Sequence, residues 1–248
     1  MRQKGVSSGF IDLFSGHSAL YAAARPTYPP QVFADIAALC RAREQAWDVG
    51  TGNGQAARDL AAQFDRVFAS DPSASQIAAA APADRVTFAV EPAERSSLAD
   101  ASCDLVLAAQ AAHWFEPEAF GSEVRRVARP GGIVAAIGYG WWYVDPQVDA
   151  IVAGLLKAVE PHWQPGNWLL IDGYRALRLP GEEVRLPPAA IHLAWERLEL
   201  EAYVRSWSVV QRLGEAVAEP TFAALRAIWP DGQKRHVVMP VVARVHRL

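Results

Sequence analysis

The sequence has few cysteines and no metal-binding pattern. Only two of its 248 residues are cysteines, Cys40 and Cys103, and neither lies at metal-ligand spacing from the other or from a histidine. Disulfide frameworks and zinc sites need several such residues at short, regular spacing. The sequence therefore predicts buried thiols, no disulfide framework and no metal site.

Basic runs and long apolar segments are also missing. Lysine and arginine together number 24 against 27 acidic residues, which gives a formal net charge of −3, and no basic run could follow a phosphate backbone. No segment approaches the roughly 20 apolar residues of a membrane span. Asp12 and His17 interrupt the apolar run that a secretory signal would need. We therefore expect a cytoplasmic protein that binds neither nucleic acid nor membrane, and the sequence leaves monomer or dimer open.

Apolar residues are plentiful, and their pattern predicts an α/β fold. Short apolar runs alternate with longer Ala-rich amphipathic segments, which is typical of βαβ units around a parallel sheet. The predicted strands of this part are 45–49, 66–70, 85–90, 103–109 and 132–139, and the predicted helices are 54–63, 73–81 and 117–129.

The pattern changes after residue 140. Seven of the nine tryptophans follow, among helical stretches that do not alternate with strands. Two late strands, 188–195 and 235–245, enclose helices at 199–213 and 219–229. We expect one domain over residues 1–248, with a core at about 30–140, a helical lid at about 141–185 and sheet completion at about 186–248. The predicted fold is a Rossmann-like, mostly parallel seven-stranded sheet with helices on both faces and a late antiparallel strand.

The most informative segment is a glycine-rich turn at the end of the first predicted strand. Gly50, Gly52 and Gly54 alternate there, and glycine permits backbone angles and close ligand approach that a Cβ atom forbids. The helix that follows offers free N–H groups to an anionic part of a ligand. The turn predicts a ligand-binding loop.

Asp71 follows the second predicted strand, where a carboxylate can accept hydrogen bonds from both hydroxyl groups of a ribose. Glycine turn and acid together indicate an adenosine-type ligand, although Asp71 with Pro72 and Ser73 could instead only cap the next helix. The glycine spacing also satisfies a relaxed dinucleotide pattern. The turn alone leaves a nicotinamide cofactor open.

The whole sequence resembles the class I S-adenosylmethionine-dependent methyltransferases, in particular the type 11 small-molecule branch with proteins similar to trans-aconitate methyltransferase. The order and spacing of several short motifs carry the resemblance. These motifs are Arg25–Pro29 with Tyr21 before it, Asp48–Gly54, Ser70–Ser73, Ala93–Glu94, Asp104–Val106, Gln110–Phe115, Arg129–Gly132 and Tyr203–Ser208.

The resemblance implies a set of residues around S-adenosylmethionine. Gly50, Gly52 and Gly54 would line its methionine part, and Asp71, next to Pro72, would hold the ribose hydroxyls. Further positions would meet the adenine edge (Ala93, Glu94), flank the sulfonium (Gln110, Ala111) or cover the cofactor (Tyr21, Arg25).

His113 is the best-placed catalytic candidate, because it follows the fourth predicted strand at the edge where open α/β sheets bind ligands. It could act as a base for a phenol or amine, hold a carboxylate, or serve only in packing. Trp114, Tyr139 and Trp142 are the expected substrate contacts. They provide aromatic faces that tolerate a sulfonium through cation–π attraction.

The first hypothesis is therefore an enzyme that methylates a small molecule, with O-methylation of a small organic acid preferred. A nicotinamide-dependent oxidoreductase is one alternative, although lysine, which such sites often use as a proton relay, occurs only at Lys4, Lys157 and Lys234. The other alternative is a non-catalytic S-adenosylmethionine-binding protein.

Overall fold

The computed structural model describes residues 25–248. Tyr21, the other predicted cover residue, lies outside this range. Within residues 25–248 no helix combines the length and apolarity that crossing a membrane requires.

The described chain begins with alternating helices and strands, as predicted except for the first helix, which the pattern did not reveal. They are α1 (Pro30–Leu39), β1 (Gln45–Val49), α2 (Gln55–Leu60), β2 (Arg66–Asp71), α3 (Ala74–Ala78), β3 (Val86–Val90), β4 (Cys103–Ala109), α4 (Pro117–Val127) and β5 (Ala128–Gly138). A 3-10 turn, Ala112–Trp114, joins β4 to α4. The remaining elements are α5 (Pro146–Val159), α6 (Pro165–Ile171), β6 (Glu182–Glu183), β7 (Ala189–Trp195), α7 (Arg197–Arg205), α8 (Ser208–Leu213), α9 (Glu219–Ile228) and β8 (Arg235–Arg247), with short 3-10 turns at Glu160–His162 and Glu215–Val217.

The sheet has the expected mostly parallel topology. Seven strands follow one path in the order β3-β2-β1-β4-β5-β8-β6, and the first five are parallel. β8 is the predicted late antiparallel strand: its second half pairs with β5, and its first half pairs with β7. The Rossmann-like prediction is confirmed, with β6 as a two-residue strand that the pattern did not reveal.

Helices cover both faces of the sheet, because successive side chains of a strand point to opposite faces and both faces are apolar. In β4, Leu105 and Leu107 face the core formed with α1 and α2, whereas Val106 faces the core formed with α4. A third core lies beside the sheet, where α5, α7, α8 and α9 pack on β7 and the first half of β8. Most of the late tryptophans lie in or against this third core.

Several boundaries differ from the predictions by a few residues, and two of the differences have a clear structural cause. The helix predicted over 199–213 is two helices, because the backbone turns at Ser206 and Trp207 and a second helix starts at Ser208. α4 ends at Val127 and β5 begins directly at Ala128, whose extended backbone stops the helix before Pro130.

Glycines let α6 lie unusually close to the carboxyl edge of the sheet. A Cβ atom on Gly166 would lie 2.3 Å from the carbonyl oxygen of His113, and one on Gly140 would lie 2.9 Å from that of Leu170. Backbone oxygens cannot move away cheaply, so only glycine permits this docking. α6 is therefore held against the site by backbone contact.

We predict that Gly166→Ala loosens this docking. Overpacking of this kind costs about 1–3 kcal/mol, which corresponds to a melting temperature lower by roughly 2–10 °C for a chain of this size. Gly154→Ala in α5 is the matched control, because a Cβ atom there meets nothing within 4 Å. Thermal unfolding followed by circular dichroism measures both variants, and an unchanged melting temperature for Gly166→Ala contradicts the close-docking argument.

Candidate active site

The carboxyl ends of β1, β2, β4 and β5 meet at one edge of the sheet. The strand order reverses direction between β1 and β4, so the loops after these strands diverge and leave a crevice. Of the cavities that open there, two share four lining residues: Arg25, Gln110, Trp114 and Tyr139.

The first, here called the glycine-turn cavity, encloses about 880 Å³ of empty space with its mouth included. This is a size that suits a cofactor-like ligand. It is lined by the glycine turn, by the end of β2 and by the segment after β4. Besides the four shared residues its lining is Gly50, Thr51, Gly52, Asn53, Gln55, Asp71, Pro72, Gln76, Ala109, Ala111 and Phe115.

The three glycines of the turn all adopt left-handed backbone angles, but they have different surroundings. A Cβ atom on Gly52 would meet only Gln76 Oε1, at 3.8 Å, so this position opens onto the cavity. Added Cβ atoms on Gly50 and Gly54 would collide with Ala111 and Phe88. Gly54 does not line the cavity and instead serves as the N-cap of α2.

Asp71 lies at the rim of the glycine-turn cavity and shapes the loop around it. Its Oδ2 accepts a hydrogen bond from the backbone N–H of Gly52 at 2.9 Å, and its Oδ1 accepts one from the N–H of Ser73 at 2.9 Å. Ser73, not Asp71, is the N-cap of α3. The helix-cap alternative for Asp71 is therefore not the geometry observed, since the carboxylate joins the turn after β1 to the end of β2.

Asp48 is fully buried beneath the turn. It begins the motif Asp48–Gly54, but the sequence predicted no role for it. Burial, with a smaller contribution from the nearby Asp71, raises the pKa of its carboxyl group to about 7. The hydroxyl of Thr51 donates to Oδ2 and, with the backbone of Ala57, partly offsets this effect. Oδ1 makes no hydrogen bond within the described residues.

Gln110 lies between the two cavities and lines both of them. Its side-chain amide pairs with the backbone of Tyr139: Nε2 donates to the carbonyl and Oε1 accepts from the N–H, both at 3.0 Å. Its own backbone is left-handed, with φ of 58°. A strained non-glycine residue persists only where its surroundings hold it, and such residues concentrate at functional sites.

The second cavity, here called the aromatic cavity, encloses about 670 Å³ with its mouth included. Its remaining lining comes from the segment after β5, from α6 and from the turn between α7 and α8. These residues are His113, Gly140, Trp141, Trp163, Asn167, Leu170, Ile171, Tyr203, Trp207, Ser208 and Val209. No aspartate, glutamate or lysine is among the described residues that line it.

His113 lines the aromatic cavity as a neutral imidazole. Burial, together with the positive charge of Arg25, lowers its pKa to about 3. Its Nδ1 lies 2.9 Å from the hydroxyl oxygen of Tyr174. An imidazole with this pKa is a very weak base at neutral pH, which argues against the base role among the three considered for His113.

Gly54 lines neither cavity, and neither do three further predicted site residues. Ala93 is buried against the core around α4, and Glu94 accepts a hydrogen bond from the backbone of Glu116. Trp142 is only 1% exposed and packs between Trp141 and Tyr203 in the third core.

The residue next to Trp142, Trp141, faces the aromatic cavity instead, because the chain leaves the strand after Gly138 and alternation no longer predicts which side chain points inward. Tyr174 was also missed. It lies in a loop far along the chain, and no sequence pattern links it to His113.

The chain is similar in sequence and fold to known proteins. A family model for a methyltransferase domain matches residues 47–136, which run from β1 to β5. The chain is 31% identical over 204 residues to a methyltransferase of Dictyostelium discoideum, covering 80% of this chain and 78% of that one. A solved structure of a type II methyltransferase from Anaeromyxobacter dehalogenans superposes with a TM-score of 0.81 at 40% identity, covering 90% of this chain and 97% of that one.

The chain belongs to the class I S-adenosylmethionine-dependent methyltransferases. A further relative, named an S-adenosylmethionine-dependent methyltransferase in Saccharomyces cerevisiae, is 29% identical over 139 residues, which are 52% of this chain and 46% of that one. This membership decides against the nicotinamide-dependent oxidoreductase. The methyltransferase-domain match ends inside β5, so most of the aromatic cavity of this methyltransferase is built from residues beyond it.

The raised pKa of Asp48 predicts a pH-dependent penalty in the ligand-free methyltransferase. The folded protein keeps this carboxyl group protonated up to about pH 7, whereas the unfolded chain releases the proton near 3.8. Stability is therefore lost as the pH rises between these values and stays lower above them.

We expect Asp48→Asn to stabilise the ligand-free protein by at least about 1 kcal/mol at pH 8, or roughly 2–4 °C, and to have little effect at pH 4. Thermal unfolding at both pH values measures this difference. Asp84→Asn, at an exposed carboxylate, is the control. A stabilisation by Asp48→Asn that does not depend on pH contradicts the assignment.

Proposed function

We propose that this methyltransferase transfers the methyl group of S-adenosylmethionine to an oxygen of a small organic acid. The observation that carries the proposal is the lining of the aromatic cavity. It contains the cation of Arg25 and a neutral His113 among aromatic rings, and no carboxylate or lysine among its described residues. Such a lining favours an acceptor that is already anionic and needs no base.

The glycine-turn cavity fits the cofactor. Gly52 leaves open space where any other residue would place a Cβ atom, and Asp71 stands at the rim with oxygens that can accept further hydrogen bonds. The buried Asp48 puts a carboxyl group below the turn, where a cationic ligand would favour its ionised form. We assign these three residues, with Gly50, Pro72 and Ala111 around them, to cofactor binding.

The four residues shared by both cavities mark the place of reaction. When bound, S-adenosylmethionine supplies a methyl group on a cationic sulfur, so that the S–CH₃ bond breaks towards sulfur as an electron pair of the acceptor oxygen forms the new O–CH₃ bond. At this junction the side-chain amide of Gln110 and the backbone of Tyr139 hold each other in place through two hydrogen bonds. Trp114 forms part of the wall of both cavities, and an aromatic face tolerates a cation next to it.

Arg25 is placed to bind the acid. Its guanidinium lies 5.5 Å from the ring centre of Tyr203 and its Nη2 donates to the carbonyl oxygen of Ser206 at 3.4 Å. These contacts orient the cation over both cavities. Because no proton needs to leave an ionised acid, positioning and exclusion of water are the chain's main contributions to the rate.

We further assign substrate selection to residues 141–185, the segment predicted as a lid. Trp141, Trp163 and three residues of α6 line the aromatic cavity, and α6 is fixed by the close approach of Gly166. The described arrangement favours a fixed wall that selects by shape.

Cofactor binding gives the first test. We expect Asp71→Ala to weaken the affinity for S-adenosylmethionine by at least about 1 kcal/mol, the order of a lost hydrogen bond to a charged group. Isothermal titration calorimetry measures this, and Asp84→Ala, at an exposed site, should keep the affinity of the unchanged protein. Equal affinity for both variants removes Asp71 from the proposed role.

The acceptor gives the second test. We expect methyl transfer to a panel of small carboxylic acids, at a rate that is nearly constant between pH 6 and 9 because the acceptor is already ionised. Transfer to amines or phenols would instead rise with pH as the acceptor loses its proton. Activity confined to amines or phenols, measured by the release of S-adenosylhomocysteine, contradicts the proposal.

A further inference from the structure

Tyr174 is a fully buried tyrosine held in an uncommon backbone conformation. It follows Gly173, and both residues are left-handed, with φ of 69° and 59°. Left-handed angles are costly for a bulky residue. In this strained conformation the ring of Tyr174 lies 6.0 Å from the ring of His113.

The hydroxyl group of Tyr174 has one hydrogen-bond partner in residues 25–248. That partner is Nδ1 of His113, at 2.9 Å. A buried phenol O–H group needs a hydrogen-bond acceptor. The phenol oxygen can lack a donor at lower cost. If Nδ1 carried the hydrogen, the buried phenol O–H would have no acceptor, which costs about 1–3 kcal/mol.

The need of the Tyr174 O–H group for an acceptor therefore determines the tautomer of His113. Nδ1 accepts from Tyr174, and the hydrogen of the neutral imidazole is on Nε2. Nε2 has no hydrogen-bond partner among residues 25–248. Since His113 lines the aromatic cavity, Nε2 is the nitrogen left for a ligand.

We propose that Tyr174 is a positioning residue that holds His113 as a neutral Nε2–H donor, which binds one oxygen of an anionic methyl acceptor in the aromatic cavity. The tautomer follows from the described contacts alone, whereas the identity of the ligand rests on the proposed function. The other oxygen of a carboxylate so held is free to face the methyl group. No proton is transferred in this arrangement, because His113 only donates a hydrogen bond.

The neutral state suits the charges around the site. Arg25, Tyr139 and Tyr203 are the other ionisable groups that line the aromatic cavity, and Tyr174 is the one that contacts the ring from behind. An imidazolium would add a second cation close to Arg25 without a carboxylate to balance it. Burial and Arg25 both act against such a cation.

The tautomer is measured directly by NMR. The full protein is labelled with ¹⁵N-histidine, and the His113 signals are identified as those lost in His113→Gln. We expect a pyridine-like Nδ1 and a pyrrole-like Nε2 from pH 5 to 8. The opposite tautomer, or an imidazolium signal at pH 6, overturns the proposal. This result needs no substrate, so it stands apart from the outcome of the acceptor panel.

The role of Tyr174 is tested by Tyr174→Phe, which removes only the donor oxygen. We expect His113 to show a mixture of tautomers, and kcat with the acid acceptor to fall about fivefold to tenfold, as for loss of one hydrogen bond. The affinity for S-adenosylmethionine should not change. Tyr143→Phe, at a tyrosine that is 53% exposed, is the matched control and should change none of these values.

An unchanged His113 spectrum in Tyr174→Phe overturns the role of Tyr174. If that variant does not fold, the spectrum of the unchanged protein still decides the tautomer. A second pair of variants tests the donor: Gln can place an N–H near the position of Nε2 and Asn near that of Nδ1. We expect His113→Gln to retain several times the activity of His113→Asn, and the reverse order contradicts an Nε2–H donor.

Discussion

The parallel pairing of β1 with β4 is the constraint on which the site depends. The chain crosses over in one direction to reach β2 and β3, and in the other to reach β5, so the loops after β1 and β4 separate at the carboxyl edge. The glycine turn and the segment that starts at Gln110 follow these two strands. The glycine-turn cavity opens between them because backbone from neither crossover covers that edge, and the aromatic cavity lies between the segment after β4 and the later elements.

In the proposed function, the site divides into a cofactor half made by the parallel strands and an acceptor half made by later elements. The cofactor half depends on local backbone geometry: left-handed glycines and a carboxylate that accepts the N–H of Gly52. The acceptor half depends on packing, since α6 reaches it only through the glycine contact at His113. A family can therefore keep its cofactor and change its acceptor by varying the second half alone.

Charge placement follows the same division. The buried carboxyl group of Asp48 is beneath the glycine turn, on the cofactor side, and its raised pKa shows how costly that burial is without a cation. The acceptor side holds Arg25 and a neutral His113. In the proposed function, a cationic methyl donor and an anionic acceptor each meet the complementary field, which lowers the cost of bringing them together in a dry site.

The sequence by itself determined where the first five strands lie along the chain, the late antiparallel strand, the glycine turn and the position of Asp71. These features are local: period, turn residues and a carboxylate at a strand end are all readable over a few residues. Only the tertiary structure decided which of Trp141 and Trp142 faces the cavity, that Ala93 and Glu94 lie outside it, and that His113 is neutral. Each of these depends on burial or on a partner far away in the chain, such as Tyr174 for His113, and no local pattern encodes a contact between residues 61 positions apart.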